Sequence, residues 1–399
     1  MTVTPEGYLA IAYGLLGPGA WAFFLFVAIK GRGRLALRRG TTPAIDAPPR
    51  VSVIVPCRNE AAGIESCLRS VLAQDYPDFS LIAVDDRSDD GTADVIDRLA
   101  AAEPRLTALH VRDGELPAGW LGKPNAVCRG VREADGQWLV FIDSDTTLAP
   151  SAVREAVAIG LSRGFDLVSF VPRFVGSGFW DSLLTPLCGM ATGGMYSMHW
   201  ANAHLRPQTA FACGQFIATR REAYEQIGGH EALRDSAGED VEMARRMKRA
   251  GLKPRLGWGM DLVTTRMYAS LGEIFRGWGR NFIAASRGKP WRVLGAIGFL
   301  LLCTLTVWPA LAIGLAHDVP LNGRVWLGLG LLHVVLITLA LVDGYRWGRS
   351  NAVYALLWPL GTLMLLAVFV RSLYQSGRRQ VVWRGVRYDL KPASNGTTS

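Results

Sequence analysis

Four long apolar runs limit what this chain can fold into, because each is long enough to cross a lipid bilayer. The first run covers residues 8–29 and contains no charged residue. The other three crowd the far end of the chain, at residues 293–316, 325–342 and 352–370. A transmembrane helix needs roughly 20 predominantly apolar residues. The pattern predicts a globular domain held between one N-terminal transmembrane anchor and about three C-terminal transmembrane helices.

Basic residues flank these runs and predict how the chain sits in the membrane. None precedes the first run, whereas "KGRGRLALRR" follows it, so the following domain is expected in the cytoplasm. Much of the net charge of +9 lies beside the apolar runs. There it suits anionic lipid headgroups, and we expect no nucleic acid partner. The expected location is the inner (plasma) membrane, as a multi-pass protein.

The tail leaves one question of topology open. It carries Arg378, Arg379, Arg384 and Arg387. Three crossings after a cytoplasmic domain would put these residues outside, against the tendency of basic residues to stay inside. Either one apolar run is re-entrant or the tail is an exception.

Between the first and second runs, buried strands alternate with amphipathic helices. "VSVIVPC", "FSLIAVDD", "LTALHV" and "QWLVFIDSD" have the composition of buried strands, and "AAGIESCLRSVLAQDY" has helical spacing of its apolar residues. This alternation predicts an α/β domain with a mostly parallel sheet covered by helices. A dinucleotide-binding domain would need a Gly-rich turn after the first strand, and "PCRNEAAG" provides none.

Acidic residues collect where the predicted strands end. The second strand ends in Asp85 and Asp86, and the fourth runs into Asp143 and Asp145. Alternate residues of an extended chain face the same side, so the last pair concentrates negative charge. Carboxylate oxygens suit Mg²⁺ or Mn²⁺, and the six cysteines lack the paired spacing of a zinc site. The alternative is a polar turn whose aspartate caps the next helix.

Five motifs occur in an order that resembles a known family. They are "VSVIVPCRNE", "VDDRSDDGT", "GKPNAV", "FIDSD" and "AGEDVEMARRMKRAG". Together they resemble a family 2 glycosyltransferase with the GT-A fold, a Rossmann-like α/β domain, over about residues 51–290. The membrane layout is similar to that of lipid glycosyltransferases of this family. These include carotenoid-acid (diaponeurosporenoate) and hopene-associated glycosyltransferases and, more distantly, ceramide glucosyltransferases.

The resemblance implies a nucleotide-sugar site. Pro56 and Glu60 would border the nucleotide, and Asp86 would accept a hydrogen bond from the base. Asp143 would lie near the ribose and beside the metal, and Asp145 would ligate the Mn²⁺ or Mg²⁺ that bridges the diphosphate. A UDP-sugar is the first expectation for the donor.

Further roles are implied around the reacting groups. Asp240 in "GED" would be the base that deprotonates the acceptor hydroxyl. Lys123 would add positive charge near the phosphates, or else be a solvated residue at a helix start. Gly214 would let the backbone approach the site. Many relatives carry Gln-x-x-Arg-Trp on the helix that enters the membrane. Here that stretch reads "RGWGRN", and Trp278 and Arg280 would take its place.

Two weaker signals have two interpretations each. His230, close to the proposed base in sequence, is either a substrate contact or a loop imidazole. The stretch "GFWDSLLTPLCGMATGGMYSMHW" is either an interfacial element that admits an apolar acceptor or a buried core helix.

These features predict a metal-dependent, inverting glycosyltransferase that moves a single sugar from a nucleotide sugar to a membrane lipid. A processive polysaccharide synthase is the enzymatic alternative, although four spans are few for a pore. A catalytically inactive scaffold is the other, although Asp86, Asp143, Asp145 and Asp240 are all present.

We expect five parts in the chain. They are an anchor and linker (1–50), the GT-A domain (51–270), an interfacial helix (271–292), transmembrane helices (293–373) and a basic tail (374–399).

Overall fold

The computed structural model describes most of the chain, apart from the ends and a few short segments. The described ranges are 5–36, 45–176, 178–203, 206–236, 238–286, 289–316, 322–377, 380–383 and 386–389. Most of the predicted basic tail, including Arg378, Arg379 and Arg384, lies outside these ranges. Its proposed docking to anionic lipid therefore stays a prediction.

Twelve strands are present in the described ranges. They are β1 (Val51–Cys57), β2 (Phe79–Asp86), β3 (Leu106–Val111), β4 (Trp138–Phe141), β5 (Thr146–Leu148), β6 (Leu167–Val171), β7 (Arg173–Phe174), β8 (Ile217–Arg220), β9 (Pro254–Trp258), β10 (Val263–Thr265), β11 (Gln380–Trp383) and β12 (Val386–Asp389).

Fourteen α-helices accompany them in the same ranges. They are α1 (Pro5–Gly14), α2 (Ala20–Leu35), α3 (Ile64–Leu72), α4 (Thr92–Ala102), α5 (Gly122–Glu133), α6 (Ala152–Arg163), α7 (Phe179–Tyr196), α8 (Arg221–Gln226), α9 (Glu239–Arg249), α10 (Leu271–Ser286), α11 (Pro290–Cys303), α12 (Val307–Leu315), α13 (Asn322–Trp347) and α14 (Trp358–Gly377). A π-helical turn, Leu15–Gly19, joins α1 to α2, and a 3₁₀ segment, Ala352–Leu357, precedes α14.

Seven strands form the main sheet, in the order β3-β2-β1-β4-β8-β6-β9. Neighbours are parallel except around β8, which is antiparallel to both β4 and β6. The predicted mostly parallel α/β sheet is confirmed. A smaller sheet, β5-β10-β7, packs beside it, and β5 belongs to the segment that leaves the acidic end of β4.

The register brings the predicted strand ends to one edge of the sheet. Cys57 of β1 is opposite Asp85 of β2, and Ile54 is opposite Phe141 of β4. Every residue of β1 is buried, as expected for an apolar, β-branched strand covered on both faces. Polar residues begin where this burial stops, so the ends of β1, β2 and β4 form an acidic edge.

The four predicted apolar runs form helical segments that are long and apolar enough to cross a membrane. These segments are Pro5–Leu35, Pro290–Leu315, Gly323–Trp347 and Ala352–Gln375. They leave large apolar side chains exposed, including Leu16, which a lipid environment would cover.

The second of these segments is interrupted between α11 and α12. Buried polar side chains form hydrogen bonds with a backbone carbonyl that the interruption frees. The carbonyl of Cys303 accepts a hydrogen bond from the Trp21 indole, 2.6 Å away. It also lies 3.0 Å from Nε2 of His333, whose Nδ1 lies 2.9 Å from the hydroxyl of Tyr13. Inside a bilayer such pairing is required, because no water is available to the freed backbone groups.

Helix α10 lies at the junction between the α/β domain and the apolar helices. On the domain side, Trp278 contacts Phe174 of β7, and Ala285 packs with Val241 of α9. On the other side, Phe282 contacts a phenylalanine of α14 at a ring-centroid distance of 4.4 Å. One hydrophobic cluster, the helix cluster, contains residues of α7 and α10, including Leu183 and Trp278, together with residues of the apolar helices.

The C-terminal ends of α13 and α14 both lie against the domain side of the molecule. Just after α13, Arg349 forms an ion pair with Asp261, which lies between β9 and β10. At the end of α14, Gln375 lies so close to α10 that a Cβ on Gly279 would stand 3.2 Å from its side-chain oxygen. The first residue of α14, Trp358, instead stacks on a tryptophan of α12.

Candidate active site

A cavity opens at the acidic edge, between β1, β4, β8, α5 and α9. Its lining residues are Pro56, Lys123, Val127, Phe141, Ile142, Asp143, Gly214, Ile217, His230, Glu239, Asp240 and Met243. Six of these are residues that the sequence analysis singled out, namely Pro56, Lys123, Asp143, Gly214, His230 and Asp240. Residues from six separated stretches of the chain therefore meet in one place.

Lys123 connects two of the acids. Its ammonium lies 2.6 Å from Asp143 and 2.7 Å from Glu239. Burial alone would lower the pKa of Lys123, but these two carboxylates raise it well above the usual value for a lysine. Lys123 therefore stays protonated and compensates the charge of both partners.

The other two acids lack such a cation at contact distance. Burial, and then the charge of Asp143, raise the pKa of Asp145 to about 7. Burial, and then the charge of Glu239, raise the pKa of Asp240 to about 7. Pairing and burial thus divide the four acids into two compensated carboxylates and two that hold protons unusually well.

Asp240 is held at the start of α9 by backbone donors. The amide of Gly214 donates a hydrogen bond to its Oδ2 at 3.0 Å, and the amide of Val241 lies 2.7 Å from its Oδ1. Little room is left for a side chain at position 214. An added Cβ would lie 3.3 Å from Asp240 Oδ2 and 3.3 Å from the Lys123 nitrogen. The predicted close backbone approach at Gly214 is therefore present in the structure.

The predicted nucleotide residues lie at the neighbouring strand ends. Asp86 is buried and accepts two hydrogen bonds from Arg87, at 2.8 and 3.0 Å. Helix α5 begins against it, since a Cβ on Gly122 would fall 2.2 Å from its Oδ2. Glu60 accepts a hydrogen bond from Ser144, the residue between the two predicted metal ligands. Hydrogen bonds and close contacts therefore connect the segments that follow β1, β2 and β4.

Trp278 and Arg280 lie outside the lining of the cavity. Trp278 is 3% exposed and packs within the helix cluster. Arg280 lies close enough to Tyr268 for its charge to lower that residue's pKa, although burial leaves the pKa raised overall. A diphosphate contact remains a prediction for both residues.

The acidic pair fits a cation that is shared with a ligand. Among the residues that the structure describes, no three His, Cys, Asp or Glu side chains cluster as a protein-only metal site. Mg²⁺ commonly takes one or two carboxylates and completes its shell with phosphates and water. Asp145, with a raised pKa beside Asp143, provides such a ligand set.

Two features of the site could not be found from the sequence. The sequence assigns no role to Glu239, yet it is a partner of Lys123. Tyr224, which fixes the buried ring of His230, carried no signal at all. Neither contact follows from local periodicity, because both depend on how α8 and α9 pack against α5 and β4.

The fold is that of the GT-A glycosyltransferases. The mannosyltransferase PcManGT from Pyrobaculum calidifontis, solved in complex with GDP-Man and Mn²⁺, matches with a TM-score of 0.58. The match covers 92% of this chain and 99% of that one, at 22% identity.

The chain belongs to glycosyl transferase family 21, whose model matches residues 20–395. Two similar proteins are the 4,4'-diaponeurosporenoate glycosyltransferases of Staphylococcus aureus strains MRSA252 and USA300. They are 24% and 25% identical over 344 residues, which is 85% of this chain and 88% of theirs. The expected resemblance to membrane lipid glycosyltransferases is confirmed, and the protein is a glycosyltransferase.

Proposed function

We propose that the enzyme transfers a single sugar from a nucleotide sugar to a membrane lipid, with inversion at the anomeric carbon and with the help of Mg²⁺ or Mn²⁺. One observation carries this proposal. A cleft that contains Asp240, a carboxylate with a raised pKa, lies beside α10, and α10 packs against the apolar segments of membrane length. This arrangement suits a polar donor and an apolar acceptor that meet at the membrane surface.

The acidic edge supports the nucleotide-sugar donor. Asp86 keeps acceptor capacity beyond its two bonds from Arg87, because a carboxylate has about four lone-pair sites. Pro56 and Glu60 flank the same edge. The neighbour of similar fold was solved with GDP-Man, which supports a nucleotide sugar in general. We propose a UDP-sugar first and include GDP-mannose in the test.

Asp143 and Asp145 would hold the metal ion together with the donor diphosphate. When bound, the cation would supply positive charge where the leaving diphosphate becomes more negative. Asp145 is the stronger candidate for direct coordination, because Asp143 already lies in contact with Lys123. Lys123 would keep Asp143 and Glu239 compensated, so the site can accept an anionic donor.

Asp240 would act as the general base. Its raised pKa suits proton transfer near neutral pH, and the amides of Gly214 and Val241 hold its orientation. It would take the proton of the acceptor hydroxyl as the oxygen attacks the anomeric carbon and the diphosphate leaves from the opposite face. A carboxylate acceptor would need orientation in place of deprotonation.

The helix cluster beneath the site supports an apolar acceptor. Val241, next to Asp240, packs with Ala285 of α10, so the base lies one residue from the helical layer. The named relatives are glycosyltransferases of diaponeurosporenoate, which supports a lipid-like acceptor here.

The test uses the full-length enzyme in lipid bilayers with a bacterial lipid extract. Labelled UDP-glucose, UDP-galactose, UDP-N-acetylglucosamine and GDP-mannose are supplied in turn, with Mn²⁺ or EDTA. We expect label from one donor in the organic phase, dependent on Mn²⁺ or Mg²⁺, with the opposite anomeric configuration by NMR. Label in an aqueous polymer would instead indicate a polysaccharide synthase, and no incorporation from any donor would contradict the proposal.

A further inference from the structure

His230 is a buried imidazole in the cavity wall whose ring position is fixed. Its exposed fraction is 3%, and its ring meets Phe141 edge-on at a centroid distance of 5.0 Å. It follows two glycines with positive φ, Gly228 at 81° and Gly229 at 52°, a conformation that side chains rarely adopt. The chain therefore turns sharply to deliver this ring to the cavity.

Hydrogen bonding to Tyr224 sets which ring nitrogen carries the proton. The Tyr224 hydroxyl accepts a hydrogen bond from the His230 amide at 2.9 Å and lies 2.9 Å from Nδ1. Because the hydroxyl's own proton needs an acceptor, it is donated to Nδ1, and the proton of a neutral ring then lies on Nε2. Burial, and then the charge of Lys123, lower the pKa of His230 to about 3, so the ring stays neutral.

The apolar helices contain a second tyrosine–histidine pair of the same kind, and there Nε2 of the histidine has a hydrogen-bond partner. There the hydroxyl of Tyr13 lies 2.9 Å from Nδ1 of His333, and Nε2 lies 3.0 Å from the Cys303 carbonyl. His230 has the same pairing at Nδ1, yet its Nε2 has no hydrogen bond to any residue that the structure describes. The difference leaves one oriented, uncharged donor beside the cavity.

We propose that Nε2–H of His230 donates a hydrogen bond to a hydroxyl group of the transferred sugar and so helps to select that sugar. This inference rests on the proposed function. A sugar hydroxyl is favoured over the acceptor hydroxyl because the cavity is lined from the α/β domain alone. None of its lining residues comes from α7 or α10, the helices next to the membrane segments.

The chemistry of the wall agrees with this role. The other polar side chains that line the cavity are the ammonium of Lys123 and the three carboxylates. A neutral sugar ring carries no charge for these groups to compensate, whereas a neutral donor in a fixed position can distinguish the positions of the sugar hydroxyls. Sites built to bond a hydroxyl strongly reject analogues that lack it, because the buried donor is left unpaired.

The experiment separates sugar recognition from nucleotide binding. The most active donor among the four tested above is compared with its nucleoside diphosphate by calorimetry, for the wild type, His230→Ala, His230→Gln and Tyr224→Phe. We expect His230→Ala to weaken donor binding about tenfold, with the nucleoside diphosphate unchanged. His230→Gln, which keeps a donor group, should recover part of the loss.

Tyr224→Phe is the second route to the same result. It keeps the imidazole but removes the hydroxyl that keeps the ring proton on Nε2. The differences in kcat/KM among the four donors should therefore become smaller. Thermal unfolding reports whether each variant is folded. If His230→Ala fails to fold, the glutamine and phenylalanine variants decide the question.

The outcomes distinguish the two proposals. A wild type that binds none of the nucleotide sugars overturns both. A wild type that discriminates among donors, with folded His230→Gln and Tyr224→Phe variants that keep the same discrimination, overturns only the role of His230. Equal weakening of donor and nucleoside diphosphate would mean a structural role, and a change confined to the KM of the lipid would assign Nε2–H to the acceptor.

Discussion

The cavity and the helix cluster below it bury polar groups in opposite ways. In the cavity, three carboxylates (Asp143, Glu239 and Asp240) surround one lysine, and burial raises the pKa of Asp240 there and that of Asp145 beside it. In the helix cluster, neutral side chains donate to backbone carbonyls, as Trp21 does to Cys303 and Tyr345 does to Leu183. The first arrangement leaves charge for a ligand to compensate, and the second completes hydrogen bonds that lipid cannot provide.

The comparison predicts that changes in the cavity lower activity more than stability, whereas changes in the cluster do the reverse.

The largest effect is expected for Asp240→Asn. Loss of the general base should lower turnover by about 10²- to 10⁴-fold, while donor binding by calorimetry is retained. If Asp240 only caps α9, the variant should lose about 1 kcal/mol of stability or less and keep its turnover. Glu239→Gln is the matched control, because Glu239 is the neighbouring acid but is paired with Lys123. Near-normal turnover in Asp240→Asn would make Glu239 the next candidate base.

Asp145→Asn should lower turnover by about 10²-fold or more at limiting metal, because a ligand to the charge-stabilising cation is lost. The fold should persist, since the substitution removes an uncompensated buried charge. Titration of Mn²⁺ in the presence of the nucleoside diphosphate checks the expected loss of metal affinity. Asp97→Asn, on the outer face of α4, is the control. Wild-type rates in limiting metal would exclude Asp145 as a ligand.

A smaller, graded effect is expected from pH. Asp240 must be ionised to act as a base, so kcat/KM should fall about tenfold per pH unit below its pKa of about 7 and level off above it. Stability should change in the opposite direction. Because the folded state binds this proton more tightly than the unfolded chain, stability falls as pH rises from about 4 to about 7. A rate profile that is flat from pH 5 to 8 would contradict the assignment.

The smallest effect on activity is expected for Tyr345→Phe in the helix cluster. Its hydroxyl donates to the Leu183 carbonyl of α7, and the loss of this buried hydrogen bond should cost about 0.5–1.5 kcal/mol of stability. Turnover per folded molecule should remain within about twofold of wild type. The control is Tyr8→Phe, since Tyr8 is 63% exposed. A large loss of turnover with normal stability would mean that the cluster takes part in catalysis.

Much of the site could be predicted because its residues follow the strands directly. The apolar run of β1 and the acidic ends of β2 and β4 are local patterns, and parallel strands bring their carboxyl ends to one edge. The contact between Lys123 and Glu239 joins residues far apart in the chain, so no local pattern contains it. The same is true of how the hydroxyl of Tyr224 meets the ring of His230.

The membrane segments show a similar limit. Residues 293–316 form a continuous apolar run, yet the helix is interrupted after Cys303. Pro309 in the first turn of α12 is a local signal for a helix boundary here, because proline cannot donate a hydrogen bond to the carbonyl of Leu305, but it does not indicate which side chains satisfy the freed backbone groups. The hydrogen bonds from Trp21 and His333 to the freed carbonyl come from α2 and α13, and they stabilise it only once the helices have packed.

The C-terminal ends of α13 and α14 lie on the same side of the molecule, and this affects the electrostatic energy of the arginines that follow α14. Because the chain enters and leaves residues 350–377 on the domain side, this segment adds no net crossing. If the other three apolar segments each cross the bilayer, the chain crosses three times and α14 ends on the domain side. If that side is the cytoplasm, as the sequence predicts, the arginines that follow α14 in the sequence need not be carried across the membrane potential. Carrying each one outward would cost about 2.3 kcal/mol per 100 mV.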